Sequence, residues 1–340
     1  MLIFWKFPIE YMIGPGVNET TVRKALEILE NETCIPFREV TYFRGPGLYY
    51  FNGSGCESFI GMVSDIYPQE ISLGPGCDSI VVALHETSHA LGMIHEMNRP
   101  DRDKYVFINT TNLSPFSAYN FVMNPANKSI SYNLTYDMGS AMHYDRFSGT
   151  RNGHLVTIPK RRNYLYTIGQ TTEMGFNDIK QLNLFYCKTR CYRTLPCKVG
   201  GYPNPRNCSE CKCPRFYTGQ YCERLLPSDS TCGEKKLMAQ SEYKTISLEG
   251  IKSCYIQIVA PKGHRIKMIV KEAVLKQSFV CQPNSGLEIK RLVDKSVSGI
   301  MFCRNVTNIK VYSQKCVVAM RYVGEADSHK VKILYKAIKL

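Results

Sequence analysis

The sequence predicts an α+β domain in the first half of the chain, followed by a small disulfide-rich module and an all-β sandwich. In the first half, helical periodicity alternates with short β-rich runs. Six cysteines crowd into residues 191–222, and strands of alternating apolar and polar residues follow from residue 253 onward. A chain of 340 residues is long enough for two or three domains of this kind.

The elements of the first half follow from their residue patterns. Residues 5–13 alternate as a strand does, and residues 18–29 place apolar side chains at helical spacing behind a possible cap at Asn18. Residues 40–43 and 47–51 are short β-rich runs with a turn between them, so both are expected to be strands. We expect the helix to pack against the sheet that these strands form.

The stretch HETSHALGMIH, which begins at His85, carries the strongest chemical signal in the chain. His85 and His89 are four residues apart, so on a helix their rings leave the same face one turn apart. Asp78 or Ser79 is placed to cap the start of that helix. Gly92 can end it, because a residue without a side chain adopts the left-handed conformation that turns the chain away.

The turn at Gly92 lets His95 return to the same point as a third metal ligand. Three neutral imidazoles leave one position of a tetrahedral zinc ion open for water, which is typical of a catalytic and not of a structural zinc site. Glu86 cannot face the metal as its neighbour His85 does, and it is placed to take a proton from the bound water. The alternative is an ordinary amphipathic helix with surface histidines, but the added requirement for Gly92 and His95 makes an accidental match rare.

Two further stretches of the sequence indicate which family of zinc enzymes the chain resembles. His95 opens the run HEMNRPDRDKY, and residues 140–144 read SAMHY. Together with the histidine motif they resemble the astacin family of zinc metalloendopeptidases, whose catalytic domain is a two-lobed metzincin fold. The resemblance implies such a domain over residues 1–187, with one Zn²⁺ ion held by His85, His89 and His95.

The resemblance also implies roles for residues outside the histidine motif. Met142 is expected to form a hydrophobic floor beneath the histidines. Tyr144 is expected to ligate zinc in the resting enzyme and to swing aside to stabilise the oxyanion of the transition state. The family anchors its mature amino terminus near the glutamate after the third histidine, here Glu96. Met1 lies only a few residues before the first predicted strand and no signal peptide is visible, so we expect a truncated chain or a product trimmed from a longer precursor.

The resemblance extends to the cysteines. In the first domain it implies the pairs Cys34–Cys187 and Cys56–Cys77. Residues 188–226 resemble an EGF-like module, with a zinc ribbon as the alternative for the CxxCxC run, and residues 232–340 resemble a CUB domain. The pairs implied for these two modules are Cys191–Cys208, Cys197–Cys211, Cys213–Cys222, Cys232–Cys254 and Cys281–Cys303. Cys316 is left over, either buried and free or paired between chains.

Composition predicts a secreted, extracellular glycoprotein. Fifteen cysteines argue for an oxidising compartment. Nine Asn-x-Ser/Thr sequons support secretion, and no apolar run is long enough to span a bilayer. The net charge of +14 could favour acidic substrates, glycans or anionic surfaces, but the basic residues are scattered and no nucleic-acid motif accompanies them, so a solvated basic surface is the simpler interpretation.

These features predict a secreted zinc-dependent metalloendopeptidase that hydrolyses peptide bonds in extracellular or matrix proteins through a zinc-bound water, with Glu86 as general base and Tyr144 at the oxyanion. The EGF-like and CUB-like modules are expected to bind matrix or protein partners. The alternative is a non-catalytic adhesion or matrix-binding protein with a structural zinc. The basic run at 160–162 is expected either to shape the pocket for the residue after the cut or to be a solvated turn.

Overall fold

The computed structural model describes residues 4–126 and 131–340 of the chain. Two features of the sequence lie outside the described residues. They are the start of the chain at Met1, which bears on the family's amino-terminal anchor near Glu96, and the sequon at Asn127.

A five-stranded mixed sheet forms the first lobe. Its strands are β1 (Ile9–Ile13), β2 (Phe37–Glu39), β3 (Leu48–Phe51), β4 (Cys56–Ser58) and β5 (Gln69–Leu73). The strand order is β2-β1-β3-β5-β4, and β4 is the antiparallel strand at one edge while the others run parallel. The predicted strand at 47–51 is therefore present, and the one at 5–13 is shorter than expected.

The prediction of a strand at 40–43 is wrong. The strand that forms is β2, at Phe37–Glu39, because that is the segment in register with β1. The backbone N–H of Val40 makes the last bond, 2.8 Å from the Tyr11 carbonyl, and the chain then bends away. β-rich residues favour a strand only where a partner strand is available, and none pairs with 40–43 among the described residues.

Two helices lie against this sheet. Helix α1 (Glu19–Glu32) starts where the Asn18 side chain accepts a hydrogen bond from the Thr21 N–H, and it buries the predicted apolar positions. Helix α2 (Ile80–Ala90) starts at Ser79, whose hydroxyl accepts from the Val82 N–H. Both helices contribute to one apolar core with β1, β3 and β5.

The second lobe has little regular structure. Between α2 and residue 175 the described chain forms one short antiparallel pair of strands, β6 (Val106–Ile108) and β7 (Thr157–Pro159). The rest of this segment consists of several 3₁₀ turns and irregular loops. Helix α3 (Phe176–Tyr186) closes the domain. The disulfide Cys34–Cys187 ties its end to the first lobe, and Cys56–Cys77 ties β4 to the segment before α2.

The next segment is small and rich in disulfides. It contains two hairpins, β8 (Tyr202–Asn204) with β9 (Asn207–Lys212) and β10 (Tyr217–Thr218) with β11 (Arg224–Leu225). The structure joins Cys191 to Cys208, Cys197 to Cys211 and Cys213 to Cys222, the pairs that the resemblance implies. A segment this short buries little core, so the disulfides must stabilise it.

The last part of the chain is a two-sheet sandwich. One sheet has the order β12-β14-β19-β16-β17 and the other β13-β20-β15-β18. The strands are β12 (Lys236–Met238), β13 (Lys244–Glu249), β14 (Lys252–Val259), β15 (His264–Val274), β16 (Gly286–Lys290), β17 (Ile300–Phe302), β18 (Val306–Tyr312), β19 (Val317–Gly324) and β20 (Lys330–Lys339). Alternate side chains of both sheets fill the core between them.

Two disulfides also form in the sandwich. They join Cys232 to Cys254 and Cys281 to Cys303, as the resemblance implies. Cys316 is partly buried and has no disulfide partner among the described residues, which is consistent with both expectations for it. None of the helices in the described chain has both the length and the apolar character that a membrane crossing requires.

Candidate metal centre and cleft

Three histidine side chains converge on one point. His85 and His89 project from the same face of α2, and their Nε2 atoms are 3.0 Å apart. Gly92, at φ +97°, turns the chain after the helix, and His95 returns so that its Nε2 lies 3.2 Å from that of His85 and 3.1 Å from that of His89. The left-handed conformation at Gly92 is one that residues with a side chain rarely adopt.

The protonation of these rings explains why a cation fits between them. The His85 Nδ1 lies 2.9 Å from the Ala141 carbonyl and the His89 Nδ1 lies 2.8 Å from the Met93 carbonyl, so in each neutral ring the proton sits on Nδ1. The Nε2 atoms of His85 and His89 then face each other as lone pairs with no proton to share. A tetrahedral zinc ion holds its nitrogen ligands about 3.3 Å apart, close to the spacing found here.

Burial disfavours the alternative of protonated rings. Loss of solvation, and secondarily the neighbouring histidines, lower the pKa of His89 to about 3 and that of His95 to about 2. The same cause lowers the pKa of His85. Neutral imidazole is the form that binds a metal ion, so the donor set fits zinc.

Glu86 lies beside the histidines and does not point with them. It is buried and lines the same cavity as the three rings. Within the described parts of the chain its carboxylate accepts no hydrogen bond, so both oxygens remain available to a ligand or a water. Burial, and secondarily the charge of Glu57, raises the pKa of Glu86 to about 8 before the charge of any metal is counted.

Tyr144 and Met142 lie next to the metal centre in different roles. The Tyr144 ring centroid is 4.4 Å from that of His95, and Tyr144 lines the cavity. Burial raises the pKa of Tyr144 to about 12, so its phenol keeps the proton that a hydrogen-bond donor needs. Met142 is 1% exposed and packs in the apolar core that contains the buried side of α2, which suits a floor beneath the rings and not a ligand.

The turn around Met142 is held by a residue that the sequence did not point to. Asp178 of α3 accepts hydrogen bonds from the Ser140 hydroxyl at 2.6 Å and the Ala141 N–H at 2.9 Å. Since the Ala141 carbonyl in turn accepts from His85, Asp178 supports a metal-binding side chain indirectly. An aspartate in the first turn of a helix predicts only a cap, so no local signal revealed this role.

Glu96 is held inside the protein. It accepts a hydrogen bond from Arg99 Nη1 at 3.1 Å and another from the Asp137 N–H at 2.7 Å, and its own N–H donates to the Met142 carbonyl at 2.8 Å. It therefore links the chain just after His95 to the methionine turn.

The histidines lie at the bottom of an open cavity of about 850 Å³. All three residues of the edge strand β4 line it, as do Tyr144 and residues 169–171. A cavity of this size is within the usual range for ligand sites, and an exposed edge strand can pair with an extended chain.

Residues 160–162 are exposed and are not among the described residues that line this cavity, so of the two expectations for this basic run the structure favours the solvated turn. Lys160 follows β7 directly, and its N–H donates to the Tyr105 carbonyl at 2.8 Å. Lys160 and Arg161 instead line a smaller cavity of about 100 Å³ together with Arg291 of the sandwich. The pairing of β7 with β6 places this run, and the sequence around the run does not reveal that pairing.

The chain is similar to known zinc proteinases along most of its length. Zinc metalloproteinase nas-34 of Caenorhabditis elegans is 35% identical over 322 residues, which cover 93% of this chain and 53% of that protein. Zinc metalloproteinase nas-28 of the same organism is 30% identical over 359 residues, which cover 98% of this chain and 71% of that protein. The chain thus spans about half the length of several curated relatives it matches, with 53% of nas-34 and 40% of nas-30.

A solved structure is also similar. It is high choriolytic enzyme 1, a hatching enzyme zinc-protease from Oryzias latipes, at 33% identity over 54% of this chain and 94% of that one. The TM-score between the two structures is 0.49. The family model described as Astacin (Peptidase family M12A) matches residues 2–187, which include the whole metal centre. The chain therefore belongs to the astacin family of peptidases, and zinc is the metal that its three histidines are built to hold.

Proposed function

We propose that this protein is a secreted, zinc-dependent endopeptidase that cleaves extracellular polypeptides. The observation that carries the proposal is the convergence of three Nε2 atoms, within 3.2 Å of one another, at the bottom of an open cavity that also holds Glu86. A closed structural zinc site has four protein ligands and no such opening. Membership of a peptidase family supports the same conclusion.

The side chains around the metal have distinct roles in this proposal. When bound, zinc lowers the pKa of a water molecule and polarises the carbonyl of the peptide bond. Glu86 accepts the proton of the attacking water and delivers it to the leaving amine. The protonated phenol of Tyr144 donates a hydrogen bond to the oxyanion that develops, and it can also ligate the metal in the resting state.

The edge strand β4 supports a polypeptide as the substrate. β4 pairs with β5 on one side only, so its outer backbone groups have no strand partner among the described residues. Its residues line the cavity beside the histidines. An extended substrate can add to this edge by backbone hydrogen bonds, which would hold its peptide bonds near the metal without requiring one particular sequence.

The parts after residue 187 are proposed to be accessory modules of an extracellular enzyme. We assign residues 188–226 to an EGF-like module on their three disulfides and residues 232–340 to a CUB-like domain on their two-sheet sandwich. Seven disulfides in all suit an oxidising compartment. Matrix and protein partners are the class of molecule such modules would bind.

The variant Glu86→Ala tests the proposal. We expect the wild-type protein to hydrolyse casein or gelatin and a chelator to stop it. Glu86→Ala should keep one zinc per chain and lose activity by a factor of about 10² to 10⁴, the usual contribution of a general base. Glu70→Ala, at an exposed position on β5, is the control and should behave as wild type. Hydrolysis retained by Glu86→Ala would remove the base from the proposal, and a zinc-loaded wild type that cleaves nothing would favour a non-catalytic adhesion protein.

A further inference from the structure

Part of the cavity beside the metal centre is formed by a loop with no regular structure. We call residues 169–171, which line the cavity, the cleft wall. The chain from Leu165 to Gly175 forms only turns and bends before α3 begins. A loop without a hydrogen-bonded ladder takes its position from side chains that contact it from outside.

The inner bonds of the cleft wall are local. The Gln170 Oε1 accepts hydrogen bonds from the backbone N–H groups of Thr171 and Thr172, both at 2.8 Å. These bonds fix the shape of the turn, but they do not fix where the turn lies in the molecule, since all three residues move together.

At its start the cleft wall packs on the second lobe, where a Cβ at Gly169 would lie 2.7 Å from Asp145 Cα. The hydrogen bonds that locate its other end come from the sandwich. Gln282 Nε2 donates to the Thr171 hydroxyl at 3.0 Å. The single proton of the Thr172 hydroxyl is shared between Gln170 Oε1 at 2.8 Å and Gln282 Oε1 at 3.1 Å. One amide side chain therefore reaches two successive residues of the wall region. Gln282 is more than 100 residues away in sequence and belongs to a different part of the fold.

Gln282 is itself held in place. It follows Cys281, which is joined to Cys303 and whose N–H donates to the Tyr166 carbonyl at 2.7 Å. Arg146 Nη1 donates to the Phe279 carbonyl at 2.7 Å, so the sandwich loop contacts the second lobe on both sides of Val280. A side chain on a loop anchored at two points can act as a fixed support.

We infer that Gln282 of the sandwich is a positioning residue for the cleft wall, and that it thereby sets how tightly the cleft holds a polypeptide. The first part of this inference, the positioning of the cleft wall, is independent of the proposed function. The second part, the effect on polypeptide binding, rests on the proposed function. Within the described residues, the Gln282 side chain contacts neither the three histidines nor Glu86 or Tyr144, so the zinc chemistry does not depend on it directly. The sandwich is then part of the substrate site as well as an accessory module.

The experiment compares Gln282→Ala with Gln277→Ala, an exposed glutamine of the same loop that makes no side-chain hydrogen bond within the described chain. In Gln282→Ala we expect amide hydrogen exchange at Thr171 and Thr172 to quicken, because their N–H groups lie in the turn that Gln282 holds. KM for a casein-derived peptide should rise about fivefold, the scale set by one ordinary hydrogen bond. The value of kcat and the zinc content should stay at wild-type levels. Gln277→Ala should change none of these.

Two results would overturn the inference. One is Gln282→Ala matching Gln277→Ala in both exchange and KM. The other is a fall in kcat or zinc content together with the rise in KM, which would show a general loss of structure.

A second measurement separates this inference from the proposed function. In the Glu86→Ala background, calorimetry measures binding of the same peptide without cleavage. We expect Gln282→Ala to weaken that binding about fivefold. Equal peptide binding by Glu86→Ala and by Glu86→Ala/Gln282→Ala would overturn the inference whether or not the wild-type protein is a peptidase. Binding by neither variant would instead overturn the proposed function, on which the second part of the inference rests.

Discussion

At the scale of single residues, the metal centre depends on which nitrogen of each ring carries the proton. Carbonyl groups at Ala141 and Met93 hold the protons of His85 and His89 on Nδ1 and leave the Nε2 lone pairs facing inward. Burial then makes protonation of those lone pairs unfavourable. The site is therefore prepared for a cation before one binds.

The buried side chain of His143 makes the stability of the protein depend on pH, which can be measured. Its Nε2 accepts a hydrogen bond from the Tyr136 hydroxyl at 2.8 Å and its Nδ1 donates to the Tyr144 carbonyl at 2.7 Å, as a neutral ring does. Burial lowers the pKa of His143 to about 4, against about 6.5 in an unfolded chain. A depressed pKa means that the stabilisation is complete above about pH 6.5 and is lost as the pH falls to about 4.

The unfolding free energy of the wild-type protein should fall as the pH is lowered from 6.5 to 4. We predict that this fall is about 3 kcal/mol smaller in His143→Gln. Urea titrations at several pH values, in the presence of a chelator, measure it. His154→Gln, at an exposed position, should leave the wild-type slope unchanged. The same slope in His143→Gln as in wild type would contradict the account.

At the scale of secondary structure, the first turn of α3 supports the methionine turn. Asp178 accepts from the Ser140 hydroxyl, the Ala141 N–H and the Gly175 N–H, all while buried. Because Ala141 also accepts from His85, the helix, the turn and the metal centre are connected through one carboxylate.

We predict that Asp178→Ala lowers the unfolding free energy by about 3 kcal/mol or more, because it leaves buried donors unpaired. Zinc affinity should fall by about 10-fold to 100-fold, as for other residues that orient a metal ligand. Asp178→Asn is the matched control. Its amide oxygen can still accept from both N–H groups, so it should lose much less. Competition with a chromophoric chelator measures the affinity, and equal values for both variants would exclude the proposed support.

Elements that depend on local contacts could be predicted from the sequence, and elements that depend on distant contacts could not. The starts of α1 and α2 and the end of α2 could be predicted because the caps at Asn18 and Ser79 and the turn at Gly92 are local. The end of α1 could not, since the helix continues to Glu32, three residues beyond the predicted end at Leu29. The support from Asp178 could not, since its partners lie 37 and 38 residues away. Strand pairing is also non-local, which is why the β-rich run at 40–43 has the composition of a strand but forms none.

At the scale of the whole molecule, disulfides and loop contacts join parts that are distant in sequence. The cysteine pairs could be inferred from the family resemblance. The contact of the sandwich with the second lobe could not, because residues such as Ser298, whose N–H donates to Asp137 at 3.0 Å, carry no periodic or motif signal. A Cβ at Gly139 would lie 2.4 Å from the Ser298 hydroxyl oxygen, so that contact also requires glycine.

We predict that the two disulfides of the first domain differ in their contribution to stability. Cys34–Cys187 spans 153 residues and Cys56–Cys77 spans 21. On the chain-entropy model, replacing both cysteines by serine should lower the unfolding free energy by about 5 kcal/mol for the long loop and about 3 kcal/mol for the short one. Guanidinium unfolding of the two double variants measures the difference, and the reverse order would show that local native contacts outweigh loop entropy.

X-ray absorption at the zinc edge, on protein loaded with one zinc per chain, tests the central claim most directly. We predict three nitrogen ligands and at least one oxygen ligand at about 2.0 to 2.1 Å, with loading lost in His89→Ala. A sulfur shell at about 2.3 Å, or full loading of His89→Ala, would place the metal elsewhere and contradict the account.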